Sequence, residues 1–107
     1  FESMIVNEDV EYQLGNTVFR PNLSSLTYMG ETHSLSVRQT EILQMLAENL
    51  GKPVERDTIL ENIWGDASYS NSLALNVQIT YIRRFLADPS VTIISIKKKG
   101  YILTVTH

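Results

Sequence analysis

Between Ser70 and Leu86 the apolar positions recur with helical rather than alternating spacing. At about 100° per residue, Leu75, Ile79, Ile82 and Leu86 line up on one narrow face. Leu73, Val77, Thr80, Tyr81 and Arg84 fall on the opposite face. The first set suits a core. The second combines a cation, a hydroxyl, a phenol and two aliphatics with no carboxylate, whereas a solvated helix face usually carries Glu and Lys. Such a mixture fits a helix laid in a polyanionic groove, aliphatics against thymine methyls and polar groups toward base edges or phosphates.

The same patterning organises the rest of the chain. Glu11–Leu14 and Thr17–Arg20 read as strands around a Gly15-Asn16 hairpin pair. Pro21-Asn22 and Gly30-Glu31 mark turns on either side of a strand over Leu23–Tyr28, and Thr32–Leu35 is a short fourth strand. Ser36-Val37-Arg38-Gln39 has the form of a capping box, so a helix starts there, with Leu43, Leu46, Ala47 and Leu50 on its buried face. Gly51 and Pro53 stop it. A second helix runs from Glu55 or Arg56 to Trp64 and buries Ile59, Leu60 and Ile63. Asp66-Ala67-Ser68-Tyr69-Ser70-Asn71 reads as a polar loop. The third helix follows, capped by Ser70 or Asn71 and ending near Asp88-Pro89. Val91–Ile96 and Tyr101–Thr106 are β-rich runs on either side of Lys97–Gly100, a hairpin with a basic tip. The expected architecture is α+β: an N-terminal four-stranded antiparallel sheet over about 10–35, a three-helix core over 36–88, and a C-terminal hairpin wing over 91–106. That order describes a winged helix-turn-helix.

Composition narrows the chemistry. The 107 residues support a single domain, read here as one effector domain over 1–107, and 43% hydrophobic residues supply one modest core. Cysteine is absent, which excludes disulfides and thiolate metal sites and fits a cytoplasmic setting. No apolar run has the length of a membrane span, and no secretory signal is present; a first residue of Phe rather than Met suggests a piece of something longer. The formal charge of −3 hides an uneven distribution. Residues 1–66 hold four basic and eleven acidic side chains, whereas residues 67–107 hold Arg83, Arg84, Lys97, Lys98 and Lys99 against Asp88 alone. With screening over roughly 8–10 Å, a polyanion beside the basic end responds to that end and not to the average.

Several ordered segments carry a family resemblance: Leu35–Leu43, Leu46–Asn49, Ile59–Gly65 with its Trp-Gly, Asn76–Leu86, and Lys99-Gly100-Tyr101. From about residue 10 to 105 the chain resembles the OmpR/PhoB-type effector domain, the C-terminal output domain of many bacterial two-component response regulators. The resemblance implies that the third helix, about Ser72 to Leu86, enters the major groove of double-stranded DNA through Leu73, Val77, Thr80, Tyr81 and Arg84. It implies that the wing, around Lys97, reaches an adjacent minor groove. It further implies that Asp66, Ala67, Ser68, Tyr69, Ser70 and Asn71 correspond to a loop through which some members touch RNA polymerase. Members usually bind direct repeats as tandem dimers and act in transcription regulation; phosphorylation would fall on an N-terminal receiver domain absent from this chain. The chain departs from the pattern at Leu73-Ala74, commonly Arg-Thr, at Asn76 and Gln78, and in Lys97-Lys98-Lys99-Gly100-Tyr101, where the wing commonly has Arg-Gly-x-Gly-Tyr.

Each candidate has a plainer reading. Arg84 contacts guanine or phosphate, or is a solvated arginine; Arg83, at the edge of the face, is a phosphate clamp or a surface residue. Lys97, Lys98 and Lys99 are phosphate contacts or a solvated tip. Tyr101 is core or sets its hydroxyl on a phosphate, and Trp64 is core or a brace. His33 and His107 lack a ligand pattern, and no nucleophile elbow, paired carboxylates or glycine-rich phosphate loop occurs. No enzyme activity, metal or cofactor is expected. The alternative function is a protein-interaction module on the same fold, with Leu73, Val77 and Tyr81 as a partner surface.

Overall fold

The turns and caps written into the chain set its layout in the computed structural model, which describes residues 11–97 and 99–106. Lys98, His107 and the first ten positions lie outside the described residues. Strands β1 (Tyr12–Leu14), β2 (Thr17–Arg20), β3 (Ser25–Tyr28) and β4 (Glu31–Ser34) form an antiparallel meander in that order. Helix α1 (Val37–Glu48) follows, then β5 (Val54–Glu55), α2 (Arg56–Ile63), α3 (Tyr69–Phe85), β6 (Val91–Ile96) and β7 (Gly100–Val105). The last hairpin is joined on its β7 side by β5, giving a second antiparallel sheet of order β5-β7-β6.

One core unites these layers. Leu14, Phe19 and Leu26 from the first sheet meet Ile42, Leu43 and Leu46 of α1, Ile59 and Leu60 of α2, Leu75, Ile79 and Ile82 of α3, and Val91, Ile93 and Leu103 of the hairpin. The capping box at Ser36 forms as expected: the Gln39 N–H donates to Ser36 Oγ at 3.1 Å, and the Ser36 N–H donates to Gln39 Oε1 at 3.0 Å.

Several strand and helix ends shift by one residue from the sequence-based expectation, and four boundaries differ in a way that matters for the surface or the core. Pro21–Leu23 forms a 3-10 turn closed by Ser24 in the left-handed region, so the third strand starts at Ser25. Helix α1 ends at Glu48, which leaves Leu50 exposed instead of on the buried face. Helix α3 is capped by Ser68, whose Oγ accepts the Asn71 N–H at 3.2 Å, so Tyr69, Ser70 and Asn71 are helical and the loop is shorter than expected. Asp66 prepares that start: its Oδ1 accepts from the Ser68 N–H at 3.1 Å and from Asn71 Nδ2 at 2.7 Å, and these bonds hold its carboxyl below the usual aspartate range. At the other end α3 stops at Phe85, and Leu86 is a half-buried capping residue beyond the buried line.

The stop is explained by Asp88. This residue is buried, and its carboxylate accepts from the Asn16 N–H (2.7 Å), Thr17 Oγ1 (3.1 Å), the Ser90 N–H (2.9 Å) and Ser90 Oγ (2.7 Å). Pro89 disfavours a helical conformation at Asp88, and the donors hold its carboxylate in this non-helical connection. Gly15 belongs to the same arrangement: it adopts φ +61, and a Cβ there would collide with the Ser90 hydroxyl. Burial alone pushes the Asp88 carboxyl up; hydrogen bonds from Ser90, Asn16 and Thr17 together outweigh it and hold the pKa below its ordinary value.

Because the folded-state pKa is depressed, the stabilisation is complete above the unfolded-state pKa of about 3.9 and is lost as pH falls through the folded-state value. Asp88→Asn turns an amide NH2 against at least one of the four donors and is expected to cost about 2–3 kcal/mol at neutral pH. Urea unfolding of both proteins at pH 7 and at pH 3 checks this, the gap narrowing at the lower pH.

Candidate nucleic-acid interface

Burial of Leu75, Ile79 and Ile82 rotates α3 so that its other side faces solvent. Leu73, Val77 and Tyr81 are 49%, 50% and 44% exposed, and Thr80 and Arg84 are exposed beside them. The five positions grouped by periodicity therefore share one outward face. That face bears no carboxylate, and Arg84 has no hydrogen-bond or ion-pair partner among the described residues.

The hairpin is fastened along α3 at several points. Tyr101 donates its hydroxyl to Asn76 Oδ1 at 2.7 Å. Arg83 donates from Nε and Nη2 to the Ile93 carbonyl at 3.2 and 3.0 Å, and from Nη2 to Ser95 Oγ at 3.0 Å. Near the basic tip, the Arg56 N–H donates to the Lys99 carbonyl at 2.8 Å, while Arg56 Nη1 reaches Ser72 Oγ at 3.2 Å and its guanidinium lies 5.9 Å from the Tyr101 ring centre. Arg56 thus ties the first turn of α2 to the tip and to the early part of α3. Gly100 permits the close approach of β5, because a Cβ there would collide with the Val54 carbonyl oxygen. Lys97 and Lys99 remain exposed on either side of Lys98, which lies outside the described residues.

Two of the expected site residues take other positions. Tyr101 is only 3% exposed and spends its hydroxyl on Asn76, so it positions the hairpin instead of projecting from it. Arg83 is exposed, but its guanidinium is engaged by β6; it joins two elements where Arg84, the next residue along the helix, projects without a partner among the described residues. Of the segment 66–71, Asp66 to Ser70 are exposed and Asn71 is half-buried, with the last three in the first turn of α3. Trp64 is half-buried under the Arg38 guanidinium, 4.5 Å from its ring centre, and braces the end of α2.

Arg56 was not legible as part of this surface. Its place depends on the two-residue strand β5 pairing with β7, and two residues generate no periodicity. With Lys99 it lines a hollow of about 500 Å3 completed by Pro53, Glu55 and Asp57. His33 is exposed on β4, its ring centre 6.0 Å from that of Phe85. Among the described residues no group of three or more His, Cys, Asp or Glu is arranged to hold a metal ion. No helix among them is long and apolar enough to cross a membrane.

A family model described as "Transcriptional regulatory protein, C terminal" matches residues 30–103. Transcriptional regulatory protein RprY of Bacteroides fragilis is 32% identical over 91 residues, which is 84% of this chain and 39% of that protein. Heme response regulator HssR of Staphylococcus epidermidis is 31% identical over 98 residues, 90% of this chain and 44% of that protein. The chain thus spans about two fifths of the length of the curated relatives it matches. Among solved structures, the DNA-binding domain of CadC from E. coli has a TM-score of 0.78 at 23% identity, covering 92% of this chain and 95% of that one. The RstA DNA-binding domain of Klebsiella pneumoniae, solved in complex with the RstA box, has a TM-score of 0.75 at 25% identity, covering 88% and 96%. The fold is a winged helix.

The Arg83 bonds make a specific demand on stability. Arg83→Ala is expected to lower it by about 1 kcal/mol and to raise amide exchange in β6, measured by hydrogen exchange, while Arg84→Ala leaves both unchanged.

Proposed function

The chain belongs to the C-terminal family of transcriptional regulatory proteins, as an OmpR/PhoB-type effector domain, and from that premise we propose that it binds double-stranded DNA sequence-specifically. The observation that carries the proposal is the carboxylate-free outward face of α3, fastened beside a lysine-tipped hairpin. In this reading α3 lies in the major groove and presents Leu73, Val77, Thr80, Tyr81 and Arg84 to base edges. Lys97, Lys98 and Lys99 reach a minor groove or backbone phosphates, and Arg56 adds a cation at the same end. Sequence comes from the helix, whereas most of the affinity comes from released counterions.

The larger protein extends the same logic. A preceding receiver domain, on phosphorylation, would pair two such domains on direct repeats and raise the effective concentration of the second reader for the first. The stretch 66–71, largely exposed at the start of α3, is a surface for RNA polymerase in this reading. The setting is the cytoplasm, and the chain acts by binding and not by turnover.

If three to five phosphates are contacted, log affinity for duplex DNA falls against log salt with a slope of about −3 to −5 per domain. Replacing Lys97 and Lys99 with Gln flattens that slope by about 1–2. Fluorescence anisotropy on a labelled duplex from 50 to 300 mM salt measures both; a salt-independent affinity defeats the proposal.

A further inference from the structure

We propose that the α3 face selects a thymine-rich half-site bounded by a single guanine, with Leu73, Val77 and Tyr81 packed on thymine methyl groups and Arg84 on the guanine. This rests on the duplex-binding reading above and specifies what is bound.

The starting point is which polar side chains of α3 are already occupied. Gln78 is half-buried and its Oε1 accepts from Gln39 Nε2 at 2.9 Å. Asn76 has its Oδ1 committed to the Tyr101 hydroxyl. Ser72 accepts from Arg56, and Arg83 is spent on Ile93 and Ser95. Thr80 donates its hydroxyl to the Asn76 carbonyl at 3.0 Å, which removes it as a donor. The sequence of α3 therefore looks richer in base-reading groups than its surface is.

The major-groove code then assigns what remains. Two-pronged recognition of adenine needs a side-chain amide with a free acceptor and a free donor. The two amides at the middle of α3, Asn76 and Gln78, are both held internally by their oxygens. Recognition of the cytosine amino group calls for a carboxylate, and Tyr69–Phe85 contains none. Guanine offers two acceptors to a guanidinium, and Arg84 is the guanidinium of α3 without an internal partner among the described residues. Thymine offers a methyl group to apolar side chains, and Leu73, Val77 and Tyr81 each expose roughly half their surface one helical turn apart.

Order along the helix fixes order along the site. At about 1.5 Å per residue, Val77 and Arg84 are separated by roughly 10 Å along the axis, or about three base-pair steps of 3.4 Å. With α3 laid along the groove, the thymines therefore lie toward its N-terminal end, and the guanine lies about three steps from the thymine on Val77, toward the C-terminal end.

Duplexes enriched from a random pool by the 107-residue chain provide the probe. In the best-enriched duplex each thymine is replaced singly by deoxyuridine, which removes only the methyl, and each guanine by 7-deazaguanine, which removes one acceptor. Loss of one buried methyl is expected to weaken binding roughly fourfold at two or more thymines. At one guanine the loss is expected to be at least about fivefold. Val77→Ala abolishes the response to deoxyuridine at one thymine without changing the salt slope, and Arg84→Ala abolishes the response to 7-deazaguanine. The base-analogue arms use the unmodified protein, so they hold even where a variant folds poorly. Salt-dependent binding with no deoxyuridine effect at any thymine overturns this inference and leaves duplex binding standing. Absence of any enrichment and of any salt-dependent binding overturns duplex binding and this inference with it.

Discussion

The rotation of α3 about its own axis is the constraint on which the remaining surface depends, and three aliphatic side chains set it. Leu75, Ile79 and Ile82 are at most 1% exposed, and full burial of each contributes about 1.5–3 kcal/mol. Turning the helix by half a revolution would expose all three and drive the Arg84 guanidinium into an apolar layer, where an unpaired charge costs several kcal/mol more. Leaving Leu73 and Val77 half in water is a smaller cost than either. The outward display of two aliphatics is thus enforced from the other side of the helix.

Electrostatics at this surface is a matter of which cations are already used. Arg83 and Arg84 are adjacent in sequence but about 100° apart around the helix. That angle carries the first to the Ile93 carbonyl and leaves the second clear of the hairpin. Arg56 sits between the two cases, held by Ser72 while lining an open hollow with Lys99. Glu55 and Asp57 in that hollow offset part of its positive charge, whereas fields from more distant carboxylates are screened within roughly 10 Å, so an overall charge of −3 says little about such a region.

What could be read from the sequence was what is decided locally. The Ser36–Gln39 box, the buried stripe of α3 and the basic hairpin depend on residues three or four apart, or on a turn. The start of α3 is ambiguous in the sequence because Ser68, Ser70 and Asn71 can all cap a helix; Asp66 selects Ser68 by bonding both Ser68 and Asn71. The roles of Tyr101 and Arg83 were hidden for another reason. Their partners, Asn76 and Ile93, are 25 and 10 residues away, and a hydrogen bond of that range leaves no periodic trace. Strand β5 is illegible in the same sense, since it exists only as the neighbour of β7.

Asp88 joins three parts of the chain that are remote in sequence: the β1–β2 turn, the exit from α3 and the entry to β6. Among the described residues it has no counter-ion, so its charge is tolerated only while the donors from the β1–β2 turn and from Ser90 remain in place. Peeling away the small N-terminal sheet would strand a buried anion, and loosening the hairpin would do the same from the other side. The meander, already joined to the helical core through Leu14, Phe19 and Leu26, is thereby also coupled to it through one shared carboxylate.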